Sequence, residues 1–317
     1  YDKAQQKEVT WTPSNANGSF SGDSIPLKGA FARSINSIAV RLGQEMGIQR
    51  IIETAHKMGI ESPLNDTPSL ALGSSDVNLR ELANAYCTVA NDGKYNKYVL
   101  VTRIVDRNGK EVYNNRSNEE QVIPYKSAFL TQQLLLGGLR EPGGTSQSLN
   151  GYVGEFRDCD WGGKTGTSNN HSDAWFMGVS PNLVVGAWVG GEYRCIHFRT
   201  GALGQGSRTA LPICGYFLNA VLKDPAFSKY HAKFGKPKDA DIISAMYSCQ
   251  SYFSKSKRDT TALDSVNVDE EIILDENGAP ISIPVQDASS SSKNNANEPE
   301  SQPSHKQKEK AMTLDDF

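Results

Sequence analysis

The stretch from Trp161 to Val189 limits what this chain can fold into more than any other. Ala174-Trp-Phe-Met-Gly-Val179 and Val184-Val-Gly-Ala-Trp-Val189 are short runs rich in β-branched and aromatic residues, which is the composition of strands. Between them, Ser180-Pro-Asn-Leu183 places Pro at the second position of a turn, where its fixed φ is favourable. Trp161-Gly-Gly-Lys-Thr-Gly-Thr167 reads as a strand ahead of them, followed by the polar loop Asn169–Ser172. The pattern predicts three consecutive antiparallel strands. Lys164-Thr-Gly-Thr167 sets a cation, two hydroxyls and a glycine side by side on the first of these. Gly162 and Gly163 remove side chains where another backbone or a ligand could come close.

Bulk properties exclude several classes of function. The 317 residues carry a net charge of −3 and no Lys/Arg cluster interleaved with aromatics, so nothing points to nucleic acid. No apolar run approaches the roughly 18 residues of a membrane helix. Tyr1-Asp-Lys3 enters polar sequence without an initiator Met or a signal peptide, so the expectation is an internal piece of a longer protein. Cys87, Cys159, Cys195, Cys214 and Cys249 are widely spaced without a C-x-x-C pair, which argues against a zinc cluster. They read as small buried hydrophobes, at least one of them unpaired. His171 and Asp173 lie close in a loop, but two ligands make no metal site, and neither metal nor cofactor is expected.

Along the chain, residues 1–20 are polar and rich in Pro, Asn and Gly, with Trp11 and Phe20 as anchors. Ser24 can cap a helix that has Pro26 in its first turn and Leu27, Ala30 and Phe31 on its apolar face. Ser37 then suits the N-cap of a helix over Ile38–Met46 that Gly47 ends, which leaves Ser34 and Asn36 in a break between helices. Ile48, Ile51, Ile52, Ala55 and Met58 recur at helical spacing and are expected in the core. Asn78 caps a helix carrying Leu79, Leu82, Ala83, Tyr86 and Val89. Asn108-Gly109 signals a hairpin between residues 99–106 and 110–113. A buried helix is expected over 124–139, and another through Cys214, Phe217, Leu218 and Val221 that packs across the sheet. Gly143-Gly-Thr-Ser146 lacks the G-x-x-x-x-G-K-[ST] pattern of a phosphate loop.

Three segments together resemble the transpeptidase part of class A penicillin-binding proteins. They are Lys164-Thr-Gly-Thr-Ser168 with the two apolar runs after it, Ala32-Arg-Ser-Ile-Asn-Ser-Ile-Ala-Val-Arg-Leu42, and the W-x-P-x-N segment at Trp11–Asn15. The Pro68–Ser74 loop and the Gly143–Ser146 loop fit the same family. The resemblance covers about residues 8–230 and implies an α+β fold, an antiparallel sheet flanked by helices plus a mostly helical lobe, N-terminally truncated here. It implies that Ser34 relays a proton toward a leaving amine and that Asn36 hydrogen-bonds a substrate peptide. It implies that Lys164 assists Ser34 and a terminal carboxylate, that Thr165, Gly166 and Thr167 bind substrate, and that the Thr167 N–H donates to the oxyanion. The implied activity is cross-linking of peptidoglycan stem peptides through an acyl-serine, with β-lactams acylating the same serine. The implied setting is the extracytoplasmic face of the bacterial cytoplasmic membrane, reached only through an anchor outside this sequence, in a parent that is also a glycosyltransferase.

The family's first motif, S-x-x-K, is not upstream of Ser34, where it belongs. Ser254-Lys-Ser-Lys257 and Ser290-Ser-Ser-Lys293 match by letter, but they follow Lys164 in polar sequence and read as chance. The 130 residues between Ser34 and Lys164 match the family spacing, so the nucleophile and its lysine are expected before Tyr1. Boundaries are expected at 1–232 for the truncated transpeptidase domain, 233–287 for a C-terminal extension and 288–317 for a disordered tail. The tail holds almost no large apolar residue to offset its conformational entropy. Two other readings stay open. One is a β-lactamase-like or class B relative, and the other is a non-catalytic transpeptidase-like scaffold or sensor that binds cell-wall peptides.

Overall fold

The computed structural model describes residues 11–115, 118–156, 158–235 and 237, together with the backbone of 273–274 and 280–281. The chain divides into two units, Tyr1–Ile281 and Ser282–Phe317. The second unit lies outside the described residues, as do the expected disordered tail, Cys249 and both late S-x-x-K matches.

The first part is helical: α1 (Leu27–Ala32), α2 (Asn36–Met46), α3 (Ile48–Lys57), a 3-10 turn at Pro68–Leu72 and α4 (Leu79–Ala90). Short strands follow, β1 (Lys94–Tyr95), β2 (Arg103–Val105), β3 (Glu111–Asn114) and β4 (Glu120–Gln121), pairing β1 with β4 and β2 with β3. Then come α5 (Tyr125–Arg140) and α6 (Asn150–Val153). The sheet itself is β5 (Gly162–Thr167), β6 (Asp173–Val179) and β7 (Val184–Gly190), antiparallel in that order, with α7 (Gly201–Gly204) and α8 (Ala210–Lys223) after it. A last antiparallel pair joins β8 (Ile273–Leu274) to β9 (Pro280–Ile281).

Helices cover both faces of the sheet. Phe176, Val185 and Ala187 alternate onto one face and pack with Leu211, Cys214 and Leu218 of α8 and Val153 of α6. Val179 faces the other way, against Val89 of α4 and Leu135 of α5. Central strand β6 is therefore buried on both sides, which accounts for its nearly continuous apolar run. Each fully buried Leu or Phe here contributes about 1.5–3 kcal/mol relative to exposure.

Helix α5 meets β5 backbone to backbone. A Cβ on Gly138 would stand 2.3 Å from the Gly163 carbonyl oxygen, and one on Gly162 would stand 2.7 Å from the Leu135 carbonyl carbon. Of the two glycines expected to admit another backbone, Gly162 admits this helix, while a Cβ on Gly163 would meet the Phe176 ring of β6 at 2.9 Å.

Several local expectations are corrected. Helix α1 starts after Pro26 with no side-chain cap, so Ser24 plays no such part. Helix α2 begins at Asn36, which puts Ser37 inside it and leaves only Ser34 in the break. The cap acceptor comes from a distance, because Asn15 Oδ1 takes the Ser37 N–H at 3.1 Å and its hydroxyl at 3.2 Å. The apolar face of α3 is half-buried and contributes no fully buried residue, since it packs mainly on α2 and the 3-10 turn. Cys214 alone among the described cysteines is buried; Cys87 and Cys195 are exposed and Cys159 is intermediate. Other expectations hold. Asn78 Oδ1 accepts the Glu81 N–H at 3.0 Å to cap α4, and the 108–109 turn closes the β2–β3 hairpin with Gly109 at φ 80°.

Gly138→Ala should destabilise the chain by about 1–3 kcal/mol, the usual range for overpacking, because the obstructing atom is backbone that cannot rotate away. Urea unfolding of the variant against Gly137→Ala, whose Cβ would meet only the flexible Lys28 and Glu141 side chains, checks it.

Candidate active site

Ser34 sits where α1 terminates. The Ile35 N–H bonds the Ala30 carbonyl at 3.1 Å and the Ser34 N–H bonds the Phe31 carbonyl at 3.0 Å. These two bonds form a Schellman motif, whose left-handed position usually belongs to glycine. Ser34 occupies it with φ 57°. A left-handed non-glycine residue costs roughly 1–2 kcal/mol, and here it aims the hydroxyl at β5. Lys164 Nζ donates to Ser34 Oγ at 2.8 Å and to its own strand's Thr165 carbonyl at 2.8 Å.

Lys164 is half-buried, with its ammonium 6.0 Å from the centroid of the Phe31 ring. Burial lowers its pKa from 10.5 to about 8. It stays mostly protonated at neutral pH with little to spare.

Asn36 opens α2, and its Nδ2 donates to the Ser14 carbonyl at 2.8 Å. Asn15 beside it caps α2, so the extended segment at Trp11–Asn15 is stitched along the start of that helix. The loop after α5 supplies a fourth component. The Thr145 N–H donates to the Ala32 carbonyl at 3.0 Å, and Thr145 Oγ1 accepts the Thr165 hydroxyl at 2.7 Å. Thr145 therefore ties the end of α1 to β5. The Thr165 hydroxyl proton is engaged there, so a carboxylate could receive it only after rotation. Thr167 differs: its Oγ1 accepts the Gly206 N–H at 3.1 Å, which leaves its own proton free to donate. Gly206 has to be glycine, since a Cβ would meet the Trp175 carbonyl oxygen at 2.3 Å and that of Gly166 at 2.6 Å.

Ser34 and Lys164 are thus brought into contact beside Thr165, Gly166 and Thr167 of β5, while Asn36, two residues after Ser34, is engaged with the Ser14 carbonyl. Among the described residues β5 pairs only with β6, which leaves its other edge available to an extended peptide. A cleft of about 550 Å³ lies elsewhere, between Tyr95–Val101 and Tyr113, and holds none of these residues. The positioning roles of Asn15, Thr145 and Gly206 escaped the residue-by-residue reading. Asn15 and Thr145 carried a signal only as parts of family-like segments.

Residues 1–187 match the family described as the penicillin binding protein transpeptidase domain. The chain is 34% identical over 191 residues to penicillin-binding protein 2D of Bacillus subtilis, covering 58% of this chain and 26% of that protein. It is 33% identical over 223 residues to penicillin-binding protein 1A of Aquifex aeolicus, covering 70% and 29%. The chain thus spans less than a third of the length of these curated relatives. The fold is shared with penicillin-binding protein 1A from Haemophilus influenzae at a TM-score of 0.63, with 23% identity, over 73% of this chain and 38% of that one. It is also shared with the PonA1 protein from Mycobacterium tuberculosis in complex with penicillin V, at a TM-score of 0.56 and 24% identity, over 72% and 62%. With its lysine strand, its serine turn and its sheet between two layers of helices, the chain belongs to the penicillin-binding protein transpeptidase family.

Proposed function

We propose that this chain supplies the substrate-positioning side of a serine D,D-transpeptidase that cross-links peptidoglycan stem peptides and is acylated by β-lactams. The observation that carries the reading is the 2.8 Å contact between Lys164 Nζ and Ser34 Oγ, two groups 130 residues apart in sequence. Such a contact needs the whole α1–α5–β5 arrangement.

In this mechanism a nucleophilic serine, from sequence preceding Tyr1, attacks the carbonyl of a D-Ala-D-Ala donor while its lysine takes the hydroxyl proton, which Ser34 then relays. The donor lies along the free edge of β5. The Thr167 hydroxyl and the Lys164 ammonium hold its terminal carboxylate, and the Thr167 N–H donates to the oxyanion. The Asn36 carboxamide orients the peptide. Ser34, polarised by Lys164, passes a proton to the departing amine, and a second peptide's amine then resolves the ester. The implied setting is outside the cytoplasmic membrane; among the described residues no helix is long and apolar enough to cross one. The alternative is a non-catalytic peptide-binding scaffold, and the same experiment separates the two.

The 317-residue chain should form no covalent adduct with labelled penicillin, whereas a longer chain that includes the preceding segment should form one per molecule by intact mass. A stoichiometric adduct on the shorter chain would overturn the assignment of the nucleophile. No adduct on the longer one would favour the scaffold.

In that longer chain, Lys164→Ala and Asn36→Ala should each slow acylation by about 10²–10³-fold, the typical cost of one such contact in the transition state. Stopped-flow acylation at saturating penicillin measures it.

Ser34→Gly separates stability from function. It should raise or preserve the unfolding free energy, because relief of about 1–2 kcal/mol of left-handed strain exceeds the roughly 0.5–1 kcal/mol entropy cost of glycine. Ser34→Ala keeps the strain. Both should slow acylation alike, and equal stability of the two variants would show that the strain argument is wrong.

Acylation should also fall as pH rises through about 8, as Lys164 loses the proton that holds the carboxylate. Lys164→Arg should move that limb upward, since a guanidinium stays protonated. A pH profile unchanged by the substitution would assign the limb to another group.

A further inference from the structure

We propose that Asp158, Cys159 and His231 form a binding site for a zinc-class divalent cation, at the end of β5 away from its Thr167 end. One ligand atom from each side chain lies within 4.8 Å of the other two. Thiolate, imidazole and carboxylate together favour Zn²⁺ over the hard cations that prefer oxygen alone.

The hydrogen bonding around the cluster is what a metal site requires. His231 Nε2 lies 2.9 Å from the Leu222 carbonyl oxygen, which can only accept, so Nε2 carries a proton. A ligating histidine is commonly held in this way by its other nitrogen. Nδ1 lies 2.9 Å from Asp158 Oδ2, and that carboxylate raises the His231 pKa, so at rest a proton bridges the two atoms. A divalent cation would take the place of that proton between the same two ligand atoms. Burial and the neighbouring Asp158 carboxylate push the Cys159 thiol up, only partly offset by the Ala232 backbone N–H that the sulfur receives, so a bound cation has to displace the thiol proton.

The scaffold around the ligands is already fixed. The Asp160 N–H donates to the Ala232 carbonyl at 2.8 Å, and Asp160 Oδ2 accepts the Phe234 N–H at 3.1 Å. Arg140 Nη2 holds Asp160 Oδ1 at 2.6 Å, which keeps that carboxylate out of the cluster and occupies the nearby guanidinium. The Phe156 ring meets the His231 ring edge-on, with centroids 5.6 Å apart. His231, and to a smaller extent Lys233, hold the Asp158 carboxyl below its usual range. Tetrahedral zinc places ligand atoms roughly 3.3–3.8 Å apart, so the 2.9 Å Asp–His pair has to open by less than an ångström. Asp158 is exposed, which leaves a fourth position to water. Cation binding would staple the segment after α8 to the turn that leads into β5. The sequence hid the cluster because Cys159 and His231 are 72 residues apart and match no spacing motif.

The test uses the full chain and Co²⁺ as a spectroscopic stand-in, then Zn²⁺. One equivalent of Co²⁺ should bind with a thiolate charge-transfer band and tetrahedral d–d bands, and Zn²⁺ should displace it. Cys159→Ser should abolish the charge-transfer band, and His231→Gln should weaken binding by more than the roughly 10-fold that loss of an outer hydrogen-bond partner costs. A second readout needs no variant: on the unsubstituted chain, Zn²⁺ should slow alkylation of Cys159 at least about 10-fold while Cys87 and Cys195 react as before, read by peptide mass mapping. Absence of a thiolate band, its persistence in both variants, or alkylation of Cys159 indifferent to Zn²⁺ would each overturn the proposal. The last result would leave a protonated His231 paired to Asp158.

Discussion

The contact on which the structure depends is the close approach of α5 to β5. Because Gly138 and Gly162 carry no Cβ, the helix and strand backbones touch directly. Every part of the candidate site hangs from one of these two elements. Lys164 and Thr167 extend β5 past the contact, and Thr145 sits in the loop that α5 runs into. Thr145 in turn bonds the carbonyl of Ala32, which places the end of α1 and hence Ser34. A side chain at any of these glycines would push the strand outward and separate Lys164 from Ser34. This is a positional requirement met through packing, with no polar group involved.

At Ser34 the requirement is met at a cost. The Schellman geometry would be satisfied more cheaply by glycine, yet the hydroxyl that reaches Lys164 exists only if a side chain accepts the left-handed conformation. Strain of this kind persists where surrounding bonds over-determine the backbone. Here the bonds to Ala30 and Phe31 on one side and the Asn15-capped start of α2 on the other supply that constraint. Lys164 shows the same tension in electrostatic form. Burial beside Phe31 lowers its proton affinity, which costs stability while the lysine is charged. It also strengthens whatever interaction the ammonium makes with a carboxylate, since the local dielectric is low.

Much of the fold was legible because its signals were local. The three-strand sheet followed from two runs of strand composition around one Pro-containing turn, α4 from Asn78 ahead of a periodic run, and the hairpin from Asn108-Gly109. Where the physics was long-range, the sequence misled. Ser37 has the right chemistry for an N-cap, but Asn15, 22 residues upstream, performs the capping, and nothing local distinguishes the two. The periodic apolar residues of α3 looked like core, yet periodicity reports only that a face is apolar, not how completely another element covers it. The cysteines were misjudged for a similar reason, since burial statistics for a residue type say little about Cys87 on the outer side of a helix or Cys195 in a loop. The candidate site was readable as a set of residues only through the family-like segments around them. Their convergence depends on glycine contacts that single-residue chemistry does not announce.

The free edge of β5 connects these strands of argument. An unpaired sheet edge is ordinarily a liability, because it invites another strand to add to it. Here the edge is short, carries a charged residue at its middle, and has one carbonyl, that of Thr165, occupied by the lysine of the same strand. Those features discourage indiscriminate pairing while leaving the Thr167 end accessible. A peptide that presents a carboxylate compensates for displacing the lysine from its resting bonds, because it returns a full negative charge to the ammonium. A peptide without one does not. In the proposed transpeptidase reading, preference for a chain terminus over an internal peptide rests on these same Lys164 contacts.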